Sequence, residues 1–575
     1  VNAVRGQGGQ NALGPERGDA LGYLRTEELF EAMRVIRADI AWLAESPDDP
    51  IKDFGFSKSG EETFEHWGHE HSLRQMVKMV RLFKPDVLIP TFLDVPGQHG
   101  HHRAVTQTTI AAFDEAADGT KFDDLELASW QVNTLYLPAW GGGGGSYDDE
   151  VPPPDATHEI QTGAYDAVLG GTYAQIGEWS RACHATQGMG RQVDEEERPV
   201  PLHQLRTANG KTVTAGLTQD VPERLAALAA HCGEEKGRKA AIMAQKAADE
   251  ALAAFPSGEA VLSALCHLQC ALLTLEKSVE PSHVHRVHLK MRQVGMAACE
   301  AAALQFHFDV SPAVPTVGQP AKARLSWHVA DPANAPAISA SVKAPEQITS
   351  GPFVGSGSGE RRQSMTANLD ISSPPIDAMA GWHGVMVSPV SLHAEVNVKI
   401  AKTDFVVPLC PDTVFSTKPV HAGQITPNRK LLRLGKDSGI DMQLQLDANL
   451  NPAEHAHLTL PEGWTFELLA EASNTKQQGR VSVPSSARQG HYRIGAKIEE
   501  QEVFGTQRLV YPHIRPQTRF ERTSADIALV DTAGLDGVRI GWIDGGVDEA
   551  HHWAGQLGAQ IIQLDDNRLI SGDFE

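Results

Sequence analysis

The spacing of apolar residues predicts a strand and a helix on either side of a short loop near residue 100. The run 87–89 is apolar and is bounded by Pro85 and Pro90, which is the pattern of a buried strand. After the loop, Val105 and Phe113 are spaced as on one face of a helix, among Ala and Thr. An open α/β sheet presents loops of this kind at the carboxyl ends of its strands, where such sheets bind ligands.

Farther along the chain, the spacing at which apolar residues recur changes twice. Ala-rich runs indicate a helical segment, and from Phe306 short alternating runs between Pro and Gly indicate two β-sandwich modules. The last part contains a strand, a glycine turn, a helix and a strand, and we expect it to be the start of an α/β domain that is cut short. The sequence thus predicts a multidomain α/β plus β protein with units 1–205, 206–305, 306–420, 421–515 and 516–575.

The amino-acid composition argues against some kinds of binding partner. A chain of 575 residues is long enough for several domains, and its formal charge of −23 argues against nucleic acid or an anionic membrane surface as a partner. From the sequence we expect no membrane span, because no apolar run reaches the roughly 18 residues that a span needs. The six cysteines include no metal-type Cys-x-x-Cys pair.

Three histidines stand in the predicted loop. Neutral imidazole is the commonest metal ligand near pH 7 and also serves as an acid, a base or an oxyanion donor. His99 and His102 are three residues apart, so one can coordinate a metal while the other faces a substrate. Such a cluster, with His101 between, is by itself more often a surface loop, so the surrounding sequence has to decide.

Six short motifs follow one another in residues 1–192. They are Arg5-Gly6-Gln7-Gly8-Gly9-Gln10-Asn11 with Gly14-Pro15-Glu16, Leu21-Gly22 with Leu24-Arg25-Thr26-Glu27-Glu28-Leu29, Asp53-Phe54-Gly55-Phe56-Ser57, Pro85-Asp86-Val87, His99-Gly100-His101-His102, and Arg181-Ala182-Cys183-His184-Ala185-Thr186-Gln187-Gly188. In this order they resemble the PIG-L/LmbE family of zinc-dependent N-acetyl-sugar deacetylases. The resemblance implies a Rossmann-like fold for residues 1–205, Zn²⁺ as the cofactor, and an N-acetylglucosamine-type sugar or related N-acyl amine as the substrate.

The resemblance also assigns roles to single residues. In the family's His-x-x-His element the second histidine ligates zinc and the first assists the reacting carbonyl. This implies His102 as the metal ligand and His99 as the catalytic oxyanion or proton-transfer partner. His184 and Gln187 match a family element near the pocket, and we expect them on one helical face, where a polar role at the site is favoured over surface decoration.

For three further positions the sequence leaves a structural alternative open. Arg5 and Asn11 are candidate substrate-binding residues in the glycine-rich loop, but a loop that only needs a permissive backbone is equally consistent with the pattern. Arg25 lies on one helical face with Glu28, and we expect a local ion pair with a structural role.

One part of the family pattern is missing. The family's other two zinc ligands and its catalytic base lie in a His-Pro-Asp-Asp-Glu motif upstream of the glycine-rich element. This chain begins at Val1, which we expect to lie within the second strand. Ser46-Pro47-Asp48-Asp49 lacks the leading histidine and is most simply a turn. We therefore expect a fragment of a zinc hydrolase that binds zinc weakly and has little or no activity by itself.

Two other histidine clusters have simpler explanations. His66, His69 and His71 open a helix and are read as a solvated helix start. His283, His285 and His288 are read as part of a basic helix surface rather than as a metal cluster.

The competing hypothesis is a protein without catalysis. The second sandwich module, with Leu460-Pro461-Glu462-Gly463-Trp464 and Gly490-His491-Tyr492, resembles galactosidase-associated domains attached to glycan-processing enzymes. Such modules bind glycans or space domains, and spacing is the simpler role. A glycan-binding or scaffolding protein is thus the alternative to the hydrolase. The expected partner is in either case an N-acetylated sugar or glycoconjugate.

Overall fold

The computed structural model describes residues 1–45, 49–140, 151–193, 199–214, 216–330, 335–355, 361–372, 392–447, 456–469, 475–545 and 549–572. The predicted Pro-Asp turn lies largely in residues 46–48, outside the described residues. The described residues form helices and several separate sheets, which confirms a multidomain architecture of mixed class.

In its described residues, the N-terminal unit contains five α-helices and six short strands. The helices are α1 Asp19–Ile36, α2 Gly60–Trp67, α3 His69–Phe83, α4 Gly100–Glu115 and α5 Tyr173–Ala182; the strands are β1 Val87–Leu88, β2 Thr134–Pro138, β3 His158–Ile160, β4 Tyr165–Asp166, β5 Gly171–Thr172 and β6 Val200–Thr207. Side chains of α3 and α4, such as Val77 and Phe113, pack with Leu135 of β2 in one buried core. The predicted strand–loop–helix around residue 100 corresponds to β1 and α4.

The sheet of this unit is mixed. Its strand order is β1-β2-β6-β3; β1 and β2 are parallel, whereas β6 is antiparallel to both β2 and β3. A Rossmann-like sheet is parallel, so the described strands do not confirm that part of the expected fold. The expected strand at residues 1–4 is limited to an isolated bridge between Asn2 and Trp42.

The helical segment predicted by the Ala-rich runs is present as α6 Glu235–Ala254, α7 Gly258–Glu276 and α8 Val284–Ala301. Its core contains Leu265, Leu268 and Leu272 of α7 together with Phe405 from the first β-rich unit. The expectation that no segment is long and apolar enough to span a membrane needs correction, because α7 meets that criterion by length and composition. Its burial against α6, α8 and Phe405 accounts for the apolar sequence equally well.

The alternating runs form two β-rich cores, as the sequence predicted. The first contains β7 Gln305–Ser311, β8 Ala321–His328, β9 Ala337–Lys343, β10 Ile348–Ser350, β11 Arg362–Ile371, β12 His393–Ile400 and β13 Thr403–Leu409. Two sheets, ordered β10-β11-β8-β7 and β13-β12-β9, share one core that includes Leu325 and Val396. Alternate residues of β8 are buried, which is the pattern of a strand with one face on the core.

The second core continues beyond residue 515. Its strands are β14 Gly423–Thr426, β15 Arg429–Arg433, β16 Gly439–Leu446, β17 Ala456–Thr459, β18 Thr465–Leu468, β19 Lys476–Ser482, β20 Gly490–Ile498, β21 Gln501–Glu502, β22 Phe504–Leu509, β23 Gln517–Arg522 and β24 Ser524–Val530. Because β24 pairs with both β15 and β20, strand pairing favours a unit that ends near Val530. The remaining elements are β25 Arg539–Trp542, α9 Ala550–Gln556, β26 Gln560–Gln563 and α10 Asp566–Ser571.

A buried arginine holds the segment that follows α4. Arg81 of α3 is 2% exposed, and its guanidinium donates to backbone carbonyls at 2.7–3.3 Å. The acceptors belong to Glu115, Ala116, Asp118, Lys121 and Phe122. One side chain therefore satisfies carbonyl groups that the end of a helix leaves without intrahelical partners.

We predict that Arg81→Met destabilises the N-terminal unit by about 3–5 kcal/mol, because it removes the hydrogen bonds that one buried guanidinium donates to five backbone carbonyls. Urea unfolding of the whole chain, observed for the N-terminal unit, measures this change in the free energy of unfolding. Arg74→Met is the matched control: Arg74 is on the same helix but pairs with the exposed Asp124, so a cost below about 1 kcal/mol is expected. Equal costs for the two variants would contradict this account.

Candidate functional site

His99, His101 and His102 lie at the start of α4. His99 is the residue immediately before the helix, whereas His101 and His102 belong to its first turn rather than to a loop. The rings of His99 and His102 are stacked with their centroids 5.3 Å apart, so these two side chains point to the same place. Phe92, just after β1, stacks on His102 at 3.9 Å and fixes the orientation of its ring.

Burial favours the neutral form of the His102 ring. It is the largest of the effects that lower the pKa of His102 to about 4, and the neighbouring His99 and His101 contribute to the same shift. The pKa of His101 is also lowered by burial, against the opposing effect of Asp53. Nδ1 of His102 and Nε2 of His101 are buried without a hydrogen-bond partner in the described structure. His102 is thus neutral at pH 7 and has a ring nitrogen that no protein group occupies.

The segment 53–57 joins the histidines to the glycine-rich loop. Phe54 packs on His101 at 4.5 Å and Phe56 packs on His99 at 5.7 Å between ring centroids. On the other side, a Cβ atom at Gly8 would lie 2.4 Å from Oδ1 of Asp53. Only glycine permits this close approach, which explains the glycine at position 8.

Arg25 closes the glycine-rich loop from the side of α1. Its guanidinium donates to the carbonyl of Gly6 at 3.0 Å and to that of Gln10 at 2.6 Å. The local ion pair expected between Arg25 and Glu28 is therefore replaced by backbone contacts of Arg25, although the two charges still interact. Arg25 shapes the loop that we expect to face the substrate.

The contacts of Arg5 and Asn11 favour a structural role in the glycine-rich loop over a role in substrate binding. Arg5 is buried, donates to Oγ1 of Thr26 at 3.0 Å and lies 4.0 Å above the ring of Trp42. Nδ2 of Asn11 donates to Glu16 at 3.1 Å, and its Oδ1 accepts from the next turn of the loop. Both side chains are used to build the loop, and their contact with a substrate stays a prediction.

His184 and Gln187 lie in a short 3₁₀ turn after α5, in which the backbone N of Gln187 donates to the carbonyl of His184 at 3.0 Å. α5 ends at Ala182, and His184 precedes a short 3₁₀ helix, Ala185–Gln187. The side chain of His184 is half-buried, its pKa is lowered mainly by burial, and its Nδ1 has no partner in the described structure. Gln187 is exposed. Of the two, only His184 lies where a polar group would be shielded from solvent.

The turn at 184–187 is fixed by Glu28, a residue that the sequence did not single out for the site. Glu28 is fully buried and accepts from the backbone N of Thr186 at 2.8 Å and from its hydroxyl at 2.6 Å. The backbone N of Ala12 donates to the carbonyl of Thr186 at 2.9 Å. Through these bonds the turn that carries His184 is attached to α1 and to the glycine-rich loop.

The third contact of Glu28 comes from the second β-rich unit. Nε2 of His513, in the loop between β22 and β23, lies 2.9 Å from Oε1 of Glu28. In the same loop Arg515 pairs with the buried Glu27 at 2.9 Å, and Tyr511 donates to Glu16 at 2.7 Å. Burial raises the pKa of Glu27, and Arg515 opposes that shift. No local sequence signal reveals these contacts, because almost five hundred residues separate the partners.

The residues around His102 do not make a complete metal site. A catalytic zinc ion needs about three protein ligands. In the described parts of the chain, the metal-type grouping that the side chains form is His231, Glu280 and His283, in the helical segment, and it does not include His102. His102 therefore offers one ligand, and a resident zinc ion does not fit the described residues alone.

The N-terminal unit thus presents a paired histidine site beside a glycine-rich loop, on the segment that carries the deacetylase-like motifs. Residues 1–113 match the family model PIG-L, described as GlcNAc-PI de-N-acetylase. The match confirms at family level the resemblance drawn from the motifs, for the segment that contains the loop, α1 and the histidine pair. No curated protein matches the chain.

Several solved structures are similar in part. They include the Escherichia coli adhesin FdeC (13% identity, 40% of this chain and 65% of that chain, TM-score 0.15) and domains 5-6 of the S-layer protein SbsC (12% identity, 40% and 98%, TM-score 0.13). A tandem of titin domains aligns with 9% identity over 42% of this chain and 72% of that chain, with a TM-score of 0.16. The chain spans about two thirds of the adhesin structure, and scores this low carry no argument about function.

The low pKa of His102 predicts acid sensitivity. Between pH 6.5 and about 4 the unfolded chain binds a proton at His102 that the folded chain does not. The free energy of unfolding therefore falls as the pH falls through this window, by about 1–3 kcal/mol. Urea unfolding at pH 7 and pH 5 with a chelator present measures the fall, which His102→Gln should reduce. The exposed His491→Gln serves as control, and an unchanged slope in His102→Gln would contradict the prediction.

The contacts of Glu28 predict that a distant histidine stabilises the site. His513→Ala leaves a buried carboxylate without one of its donors, so we expect a loss of about 1–3 kcal/mol and faster amide exchange in residues 184–189. His513→Gln retains an N–H donor and should recover part of both effects. His457→Ala, on the exposed face of β17, is the control. If residues 184–189 of His513→Ala exchange their amide hydrogens as slowly as in the wild type, the contact of His513 with Glu28 does not support the turn.

Proposed function

We propose that the N-terminal unit is a deacetylase-type hydrolase that removes the acetyl group from an N-acetylated sugar of the N-acetylglucosamine type. The observation that carries this proposal is the stacked His99–His102 pair, joined through segment 53–57 to the glycine-rich loop, within the family-matching residues. The reaction adds water to the amide and yields acetate and a free amine.

His99 is the proposed catalytic residue. It stands immediately before α4, between the exposed ring of Phe56 and the ring of His102. An imidazole in this position donates a hydrogen bond or a proton to the carbonyl oxygen as negative charge develops on it. His184, half-buried at the other side of the loop, is the proposed substrate-binding group, and Gln187 with its exposed side chain is proposed to contact the sugar from outside.

His102 is the proposed metal ligand. Its neutral ring and unoccupied Nδ1 suit coordination, and burial favours the neutral state that a ligand needs. Since the described residues supply one ligand of about three, no catalytic step is assigned to zinc here. Because the described residues supply one ligand, we expect zinc to bind weakly at His102.

The sandwich modules provide the alternative function. They would bind a glycan without chemistry, and the resemblance of the second module to galactosidase-associated domains is its support. If the protein is a hydrolase, the second module also has a structural role, because its loop between β22 and β23 contacts α1 beside the site. The two functions therefore predict different binding sites for the sugar: the histidine pair for the hydrolase, and the sandwich modules for the glycan-binding protein.

The test is saturation-transfer NMR with an N-acetylglucosaminide and with the corresponding glucosaminide. We expect transfer to the acetyl methyl group in the wild type, and at least about tenfold weaker binding in His99→Ala and His102→Ala, with the deacetylated sugar bound more weakly. His491→Ala is the matched control in the second sandwich. Unchanged binding in both site variants, together with loss in His491→Ala, would overturn the proposal in favour of the sandwiches.

A further inference from the structure

A second histidine cluster lies where the helical segment begins and where α8 starts. His231 ends the 3₁₀ helix Leu225–His231, and His283 ends the 3₁₀ helix Pro281–His283. The two backbones are held together there: Cys232 and Val279 form an antiparallel bridge, and the N of Glu280 donates to the carbonyl of His231 at 2.9 Å. The backbone that carries His231, Glu280 and His283 is therefore held together before any ligand binds.

The side chains of His231, Glu280 and His283 converge. The two imidazole rings have centroids 3.9 Å apart, and Nδ1 of His231 lies 3.5 Å from Oε2 of Glu280. One ligand atom from each of the three residues lies within 4.8 Å of the others. Spacing that short allows a single ion to touch all three with small side-chain movements.

This grouping differs from the one suggested by the sequence. Spacing placed His283 with His285 and His288 on a basic surface, but the structure separates them. His285 packs edge-on against Trp130 with centroids 5.1 Å apart, and His288 pairs with Glu276 at 2.7 Å. Only His283 turns towards His231, a residue more than fifty positions earlier in the chain.

We propose that His231, Glu280 and His283 bind a divalent transition-metal ion, Zn²⁺ in preference to Mg²⁺ or Ca²⁺. Two imidazoles and a carboxylate form a set that zinc accepts in tetrahedral geometry, with the fourth position left to water. Hard cations prefer sets made of oxygen ligands, which this cluster does not offer. The ion joins the chain before α6 to the connection between α7 and α8, and so links the start of the helical segment to the start of its last helix.

Arg286 opposes the ion. Its Nε donates to Nδ1 of His283 at 3.2 Å, and its guanidinium also pairs with Asp86 of the N-terminal unit, with Nη1 to Oδ2 at 2.8 Å. Coordination through Nδ1 of His283 uses the lone pair that accepts this hydrogen bond, and coordination through Nε2 places the ring proton on Nδ1. The hydrogen bond is therefore lost in either case, and the positive charge of Arg286 repels the ion. The site therefore has moderate affinity in the wild type, and removal of Arg286 should strengthen it.

The experiment is calorimetric titration of the whole, untagged chain with Zn²⁺, followed by Co²⁺ absorption spectroscopy as a readout of tetrahedral coordination. We expect one equivalent of Zn²⁺ whose affinity falls by more than about tenfold in His231→Gln/His283→Gln and in Glu280→Gln. Arg286→Gln should bind more tightly than the wild type. The thermal midpoint of the metal-free variants, with circular dichroism, shows that each variant is folded.

Two matched controls separate this site from the proposed function. His288→Gln removes a histidine of α8 that pairs with a different carboxylate, and His102→Gln removes the proposed ligand of the N-terminal unit. Both should retain the equivalent of Zn²⁺ and its Co²⁺ spectrum. Loss of that equivalent in His102→Gln, or its retention in His231→Gln/His283→Gln, would overturn the proposal.

Discussion

The arrangement of the candidate site depends on one buried carboxylate. Glu28 is inaccessible to solvent, and the donors that satisfy it belong to Thr186 and to His513. A buried charge without its donors is strongly unfavourable, so α1, the turn after α5 and the loop between β22 and β23 are stable together rather than singly. The same surface of α1 carries Glu27, which pairs with Arg515. The second β-rich unit therefore supports the fold of the N-terminal unit and is more than a spacer.

That constraint explains how short motifs distant in sequence form one surface. The turn held by Glu28 bonds to the end of the glycine-rich loop, Arg25 holds the loop itself, and the loop packs on segment 53–57, which reaches His99. Apart from the ring contact of Phe56 with His99, each of these contacts is a hydrogen bond to backbone or a close approach that only glycine allows. Most of the polar side chains in the motifs thus shape the loops, and few are left to meet a substrate.

The parts that the sequence predicted are those governed by local periodicity. The alternating run 394–400 is β12, and the strand and helix around residue 100 are β1 and α4, because burial of one face imposes a period on the chain itself. What the sequence could not predict depends on partners far away. The contact of His513 with Glu28 and the pairing of His231 with His283 have no local pattern, and the mixed sheet follows from strand pairing that periodicity does not specify.

The central claim is that an N-acetylated sugar binds between the histidine pair and the glycine-rich loop. Hydrogen–deuterium exchange of the whole chain with and without an N-acetylglucosaminide tests it most directly, because protection is read along the sequence. The account predicts slower exchange in residues 5–12 and 97–105 together, with little change in the strands of the two sandwiches. Protection confined to residues 306–530, with no change at either N-terminal segment, would contradict it.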